Sequence, residues 1–167
     1  FLSRPRRFGK SLLLTTIKAY LKGKKHLFKG LAIESLEKDW TSYPILHLDL
    51  NTGLYNEPKG LEDVLSNAVA GWEALYGKGK EENTPALRFK GVIQRAFEKT
   101  GLPVVVLVDE YDKPLLYTLD NPELQELYRA QLKSFYSVLK TMDGCIKFAF
   151  LTGVTKFSKV SIFSDLN

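Results

Sequence analysis

Five apolar residues in unbroken succession, Val104 to Val108, four of them valine, run directly into Asp109 and Glu110. A strand with one wet face alternates apolar and polar residues, so this pattern predicts a strand covered on both faces, at the centre of a parallel sheet. Parallel strands need crossovers, and the flanking sequence supplies helices for them. Residues 10–22 carry Leu13, Leu14, Ile17 and Leu21 at helical spacing, with Gly23 as a stop. From Leu61, the residues Val64, Leu65, Ala68, Val69, Trp72, Leu75 and Tyr76 hold one helix face. Thr84 as cap and Pro85 in the first turn predict a helix that carries Val92, Ile93, Ala96 and Phe97 inward and closes at Gly101. Asn121 and Pro122 open a long helix with Leu124, Leu127, Tyr128, Phe135, Val138, Leu139 and Met142 on one side, stopped by Asp143 and Gly144. Ile45–Leu50 and Lys147–Leu151 read as further strands, and Phe1–Ser3 as the stub of one. Strands separated by helices predict an α/β protein with a mainly parallel sheet and helices on both faces.

At 167 residues the chain fits one domain, 1–167. With 44% hydrophobic and 26% charged residues it has the balance of a packed globule, which excludes disordered and collagen-like polymers. Its longest apolar run, those same five residues, is far below the roughly 20 that a membrane span requires, so no membrane insertion is expected. The lone Cys145 closes no disulfide within the chain and reads as a small buried residue in a cytoplasmic protein. The chain begins at Phe1 and its one methionine is Met142, so a fragment truncated at both ends is expected. Charge is uneven: the first 33 residues hold nine basic side chains and no acid, against 15 basic and 19 acidic in the rest. Such a segment attracts phosphate, from a nucleotide or from nucleic acid.

Within that segment Arg4 to Ser11, RPRRFGKS, matches three of the four fixed positions of the phosphate-loop template G-x-x-x-x-G-K-[ST], Arg4 standing at the first glycine. Gly9 allows close backbone approach to a phosphate, Lys10 reaches β and γ oxygens, and the Ser11 hydroxyl can ligate Mg²⁺. The helix beginning at Lys10 points its amides and positive dipole end at the same place. Arg6, Arg7, Phe8, Gly9, Lys10, Ser11 and Leu12 are therefore the candidate nucleotide-binding residues, the alternative being a basic loop that opens an ordinary helix.

The acids after Val108 match the strand-end pair of a Walker B motif. Asp109 would orient Mg²⁺ together with Ser11, and Glu110 would act as general base on the attacking water. Thr152, at the end of FAFLT, is a candidate γ-phosphate sensor, with Thr155 as its rival. His26 and His47 lie far apart without ligand partners and read as surface and strand residues.

Together RPRRFGKS, DEYDKP (Asp109 to Pro114) and LTGVTKFSKVSIFSDLN (Leu151 to Asn167) resemble the bacterial predicted AAA-ATPase-like family. The resemblance spans nearly the whole chain. It implies a P-loop NTPase three-layer sandwich, AAA-like or STAND-like, with ATP and Mg²⁺ as ligands. It carries Gly9, Lys10 and Ser11 over as phosphate loop, Asp109 and Glu110 as the magnesium and water-activating pair, and Thr152 as sensor. It also makes Arg4 the family's own variant of the loop, and implies a PD-(D/E)XK nuclease-like domain in the longer parent chain. The expected activity is hydrolysis of MgATP to ADP and phosphate, with catalytic roles for Glu110, Lys10 and Thr152, coupled to an attached effector. Two rival readings are a nucleotide switch that does not hydrolyse, and a nucleic-acid-binding module that uses Lys18 to Lys29 for weak DNA contact. An oligomer is compatible with all three readings, and no arginine finger is evident in the sequence.

Overall fold

The computed structural model describes residues 2–5 and 7–154. In chain order these form β1 (Leu2–Ser3), α1 (Lys10–Leu21), a 3₁₀ turn (Lys25–Phe28), α2 (Ile33–Leu36), β2 (Ile45–Asp49), α3 (Gly60–Tyr76), α4 (Pro85–Thr100), β3 (Val104–Asp109), α5 (Lys113–Tyr117), α6 (Pro122–Thr141), a second 3₁₀ turn (Asp143–Cys145) and β4 (Ile146–Gly153). The four strands make one parallel sheet in the order β1-β4-β3-β2. The last strand in sequence therefore lies between the first and the third.

All six residues of β3 are buried, as its unbroken apolar run requires, and it hydrogen-bonds on both sides. Its residues alternate between two cores. Val104, Val106 and Val108 pack with Leu46, Leu48 and the inner faces of α3, α4 and α6, whereas Val105 and Leu107 pack with Leu14 and Leu21 of α1. Helices thus cover both faces, α1 on one and α3, α4 and α6 on the other. The larger layer is centred on stacked Phe89 and Phe135, with centroids 4.4 Å apart and Trp72 at 5.5 Å from Phe89. Paired hydrogen bonds from Arg88 to Glu73 at 2.9 and 2.7 Å fasten α4 to α3.

The helix boundaries follow local chemistry. Thr84 Oγ1 accepts the Leu87 amide at 3.2 Å ahead of Pro85, and α4 ends where the Gly101 N–H donates to Phe97 at 2.8 Å. Asn121 caps α6 through the Leu124 amide at 3.1 Å. Three residues expected inside are exposed: Leu13, Leu75 and Leu127. Leu75, 61% exposed, is one residue and about 100° round the helix from Tyr76, so it falls off the stripe that Trp72 and Tyr76 complete. On α6 the inward stripe runs through Leu132 and Tyr136 in place of Leu127. Cys145, expected to be buried, is half-buried against the edge of the larger core.

Because every strand is parallel, the ends of β1, β2, β3 and β4 emerge along one edge of the sheet. Asp49 and Asp109 are in register there, as are Leu2 and Thr152. That is the edge where α/β sheets hold ligands.

Candidate functional site

The loop that leaves β1 is tied to the end of β4 by the Arg4 amide on the Gly153 carbonyl at 3.1 Å. It curls through two left-handed residues, Arg7 (φ 65°) and Gly9 (φ 72°), before α1 begins. Gly9 has no neighbour within 4 Å of where a Cβ would stand, so it is the backbone angle that requires glycine, and the space beside it stays open. No side chain caps α1 and no acid lies in its first turn, which leaves the amides there available to an anion.

Lys10 is 5% exposed and folds back over this loop. Its ammonium donates to the carbonyls of Arg4 at 2.9 Å and Pro5 at 3.3 Å and lies 3.2 Å from Glu110 Oε1. The next residue reaches the other acid: Ser11 Oγ donates to Asp109 Oδ2 at 2.8 Å, joining positions 98 residues apart. Asp109 Oδ1 accepts the Thr152 hydroxyl, whose oxygen in turn accepts the Glu110 amide at 3.4 Å. Asp109, buried at the end of β3, is thus held from both sides, by the helix after the loop and by the inserted strand. Glu110 is itself left-handed (φ 55°), a conformation that costs about 1–3 kcal/mol for a residue with a side chain and recurs at functional positions.

These groups border a cavity of about 480 Å³, within the range of small-molecule sites. Arg7, Gly9, Lys10, Ser11 and Leu12 form one wall; Glu110, Lys113, Leu116, Tyr117, Asn51 and Val154 form the rest. Of the sequence-predicted residues, Phe8 is exposed and outside this lining, while Asp109 and Thr152 stand buried behind it. Arg6 and Thr155 lie outside the described residues. Asp109 and Ser11 offer the hard oxygen donors that Mg²⁺ takes alongside phosphate and water. No group of three His, Cys, Asp or Glu side chains converges among the described residues, so this donor set suits a cation shared with a bound phosphate rather than a cage of protein ligands.

Four contributors escaped the sequence reading: Asn51, Lys113, Tyr117 and Asp112. Asp112 is fully buried, and its carboxylate accepts the Val154 amide at 3.0 and 3.2 Å, which locks the turn after β3 to the end of β4. No local signal in DEYDKP or LTGV marks this contact, since the two segments meet only through the strand order. A Cβ on Gly153 would stand 2.1 Å from the Tyr111 ring and 2.7 Å from Asp112. With Tyr111 buried, Gly153→Ala is expected to lower domain stability by about 1–3 kcal/mol in chemical denaturation. A variant as stable as the parent would show that this packing is not tight.

The basic residues of the first segment divide by position. Lys10 belongs to the cavity, and Lys18 is part-buried with Nζ 3.0 Å from His47 Nδ1, while Lys22, Lys24, Lys25 and Lys29 are exposed. Burial, then the neighbouring Lys18, holds His47 below the usual imidazole range, which favours its neutral form.

An α/β protein of this kind, with a phosphate-loop-like turn facing an acidic strand end, is a class defined by fold and site together. Within that class, the chain belongs to the family described as Predicted AAA-ATPase, whose sequence profile matches residues 1–163. It is 42% identical over 168 residues to "Uncharacterized protein in vnfD 5'region" from Azotobacter chroococcum mcd 1; the match takes in all of this chain and 32% of that protein. No solved structure matches. No helix among the described residues is long and apolar enough to cross a membrane.

Proposed function

We propose that this chain is a P-loop ATPase domain that hydrolyses MgATP. The observation that carries the proposal is the linked set Ser11–Asp109–Thr152 and Lys10–Glu110 at one edge of a parallel sheet in which β4 is inserted between the strand leading to the loop and the strand ending in the acids. In this reading the Gly9 turn and the first amides of α1 take the phosphate oxygens, with the Lys10 ammonium at β and γ. Ser11 and Asp109 hold the Mg²⁺, which when bound neutralises part of the polyphosphate charge. Glu110 orients a water and takes its proton as the water oxygen bonds to the γ-phosphorus. The bond from that phosphorus to the β–γ bridging oxygen breaks, its electron pair leaves with ADP, and phosphate is the second product.

The Lys10–Glu110 ion pair links binding to chemistry. An incoming phosphate competes for the ammonium, and drawing it away frees the carboxylate to act as base. Thr152 positions Asp109 and the Glu110 amide in this scheme and senses the γ-phosphate through them. The domain is further proposed to gate an effector elsewhere in its parent, of the nuclease-like kind that the sequence resemblance implies; the relative above is about three times as long as this chain.

The test is calorimetric titration of the purified full-length parent with MgATP, followed by phosphate release. Saturable binding with release of phosphate is expected. Binding without release favours the non-hydrolysing switch, and absence of both overturns the proposal.

A further inference from the structure

The cavity wall away from the loop carries a cation that the scheme above does not use. Lys113 opens α5, four residues after Asp109, and its amide donates to the Glu110 carbonyl at 3.0 Å, so its backbone is fixed to the candidate base. Its start is secured further by Asp112 on the Val154 amide and by Pro114 in the first turn. From there the ammonium reaches the loop after β2, donating to Asn51 O at 2.6 Å and lying 3.3 Å from Asn51 Oδ1, with the Tyr117 ring centroid 5.5 Å away.

All of these partners are neutral. Lys10 meets the carboxylate of Glu110, whereas among the described residues the Lys113 ammonium meets none. The lining holds three cations, Arg7, Lys10 and Lys113, against one carboxylate, Glu110, which is an excess of positive charge suited to a polyphosphate. A lysine whose partners among the described residues are a carbonyl, an amide oxygen and a ring face, with no carboxylate, gains a charge-assisted hydrogen bond from a phosphate oxygen that enters the cavity. Nor is it needed for the core: Lys113 is half-buried and Tyr117 and Asn51 are exposed, so these three residues together shape the cavity rim.

We propose that Lys113 is a second catalytic cation, supplied by the chain itself, that contacts the γ-phosphoryl group and stabilises the charge spread over its oxygens during transfer. The proposal rests on the reading of this cavity as the ATP site. Lys10 then serves ground-state binding of β and γ, while Lys113, anchored one turn from Glu110, acts where charge develops. In phosphoryl transfer that second role is the one an arginine finger fills. As a point charge on a flexible stem, a lysine can leave Asn51 for the phosphate without moving α5.

The experiment uses the full-length parent with Lys113→Gln, which keeps a polar contact to Asn51 and removes the charge, and Lys113→Arg, which restores it. Two readouts are taken: steady-state phosphate release, and affinities for MgADP and for a non-hydrolysable MgATP analogue. Expected for Lys113→Gln is a fall of about 10²–10³-fold in kcat together with a rise of about tenfold in KM. Its preference for the triphosphate over MgADP should also shrink by about tenfold or more, and Lys113→Arg should recover much of both. If Lys113 merely pins the Asn51 loop to α5, the two nucleotides weaken together and the ratio holds, which overturns the proposal. A parent that binds and hydrolyses MgATP while Lys113→Gln matches it in rate and preference also overturns this proposal and leaves the ATPase reading intact. A parent that binds neither nucleotide overturns both. A parent that binds without turnover still decides the matter through the triphosphate-to-diphosphate ratio.

Discussion

Glu110→Gln in the full-length parent is expected to drop ATP turnover by about 10²–10⁴-fold, the range a positioned general base contributes. The substitution keeps size and shape, so the backbone turn that Glu110 makes in the left-handed region is preserved. What is lost is the carboxylate proposed to take the proton of the attacking water. Affinity for MgATP stays within a few-fold or rises, because the Lys10 ammonium, 3.2 Å from Glu110 in this structure, no longer has to leave a negative charge to reach phosphate. Asp109→Asn behaves differently. It disturbs the Ser11 and Thr152 hydrogen bonds together and removes the charge of the proposed Mg²⁺ donor, so its first expected effect is a weaker Mg²⁺ dependence of binding. Turnover at the parent rate in Glu110→Gln, with Asp109→Asn alone inactive, would place the base elsewhere and favour the non-hydrolysing or differently wired switch.

Lys10→Ala is expected to remove most nucleotide binding. Two charge-assisted contacts, one to each of the β and γ groups, are each worth about 1.5–3 kcal/mol, which together corresponds to a loss of about 10²–10⁴-fold in affinity. The truncation also leaves Glu110 without its ion-pair partner, facing an incoming polyphosphate of like charge. Calorimetry on the folded variant measures this directly, with circular dichroism confirming that α1 survives. Unchanged affinity in a folded Lys10→Ala protein would remove the phosphate-loop assignment. The two predictions are thus separated by readout: affinity for Lys10, rate for Glu110.

Much of the architecture is legible along the chain because the signals involved are local. Thr84, Pro85 and Gly101 bound α4 since a cap, a fixed φ and a left-handed stop act within a turn of where they stand. The valine run before Asp109 predicts a central strand because burial on both faces leaves no position for a polar residue. The loop and the acid pair are readable for the same reason, each being a short pattern whose chemistry resides in adjacent residues. The stripes of α1, α3 and α6 are legible only in outline: Leu13, Leu75 and Leu127 keep the helical spacing yet face outward, because spacing does not say how wide a face the neighbouring layer covers.

Strand order belongs to the tertiary structure alone. Nothing local in Ile146–Gly153 specifies that it inserts between β1 and β3, but that insertion puts the Thr152 hydroxyl on Asp109 and brings the Arg4 amide to Gly153. It is decided by how helices pack on the two faces of the sheet and by the hand of the crossovers between parallel strands. The meeting of Ser11 with Asp109 across 98 residues, and of Lys113 with Asn51 across 62, follows from that order. A sequence pattern records the environment each residue needs, one element at a time. Which charged groups then share a cavity depends on which elements are neighbours, and parallel strands leave that choice to the packing of the whole domain.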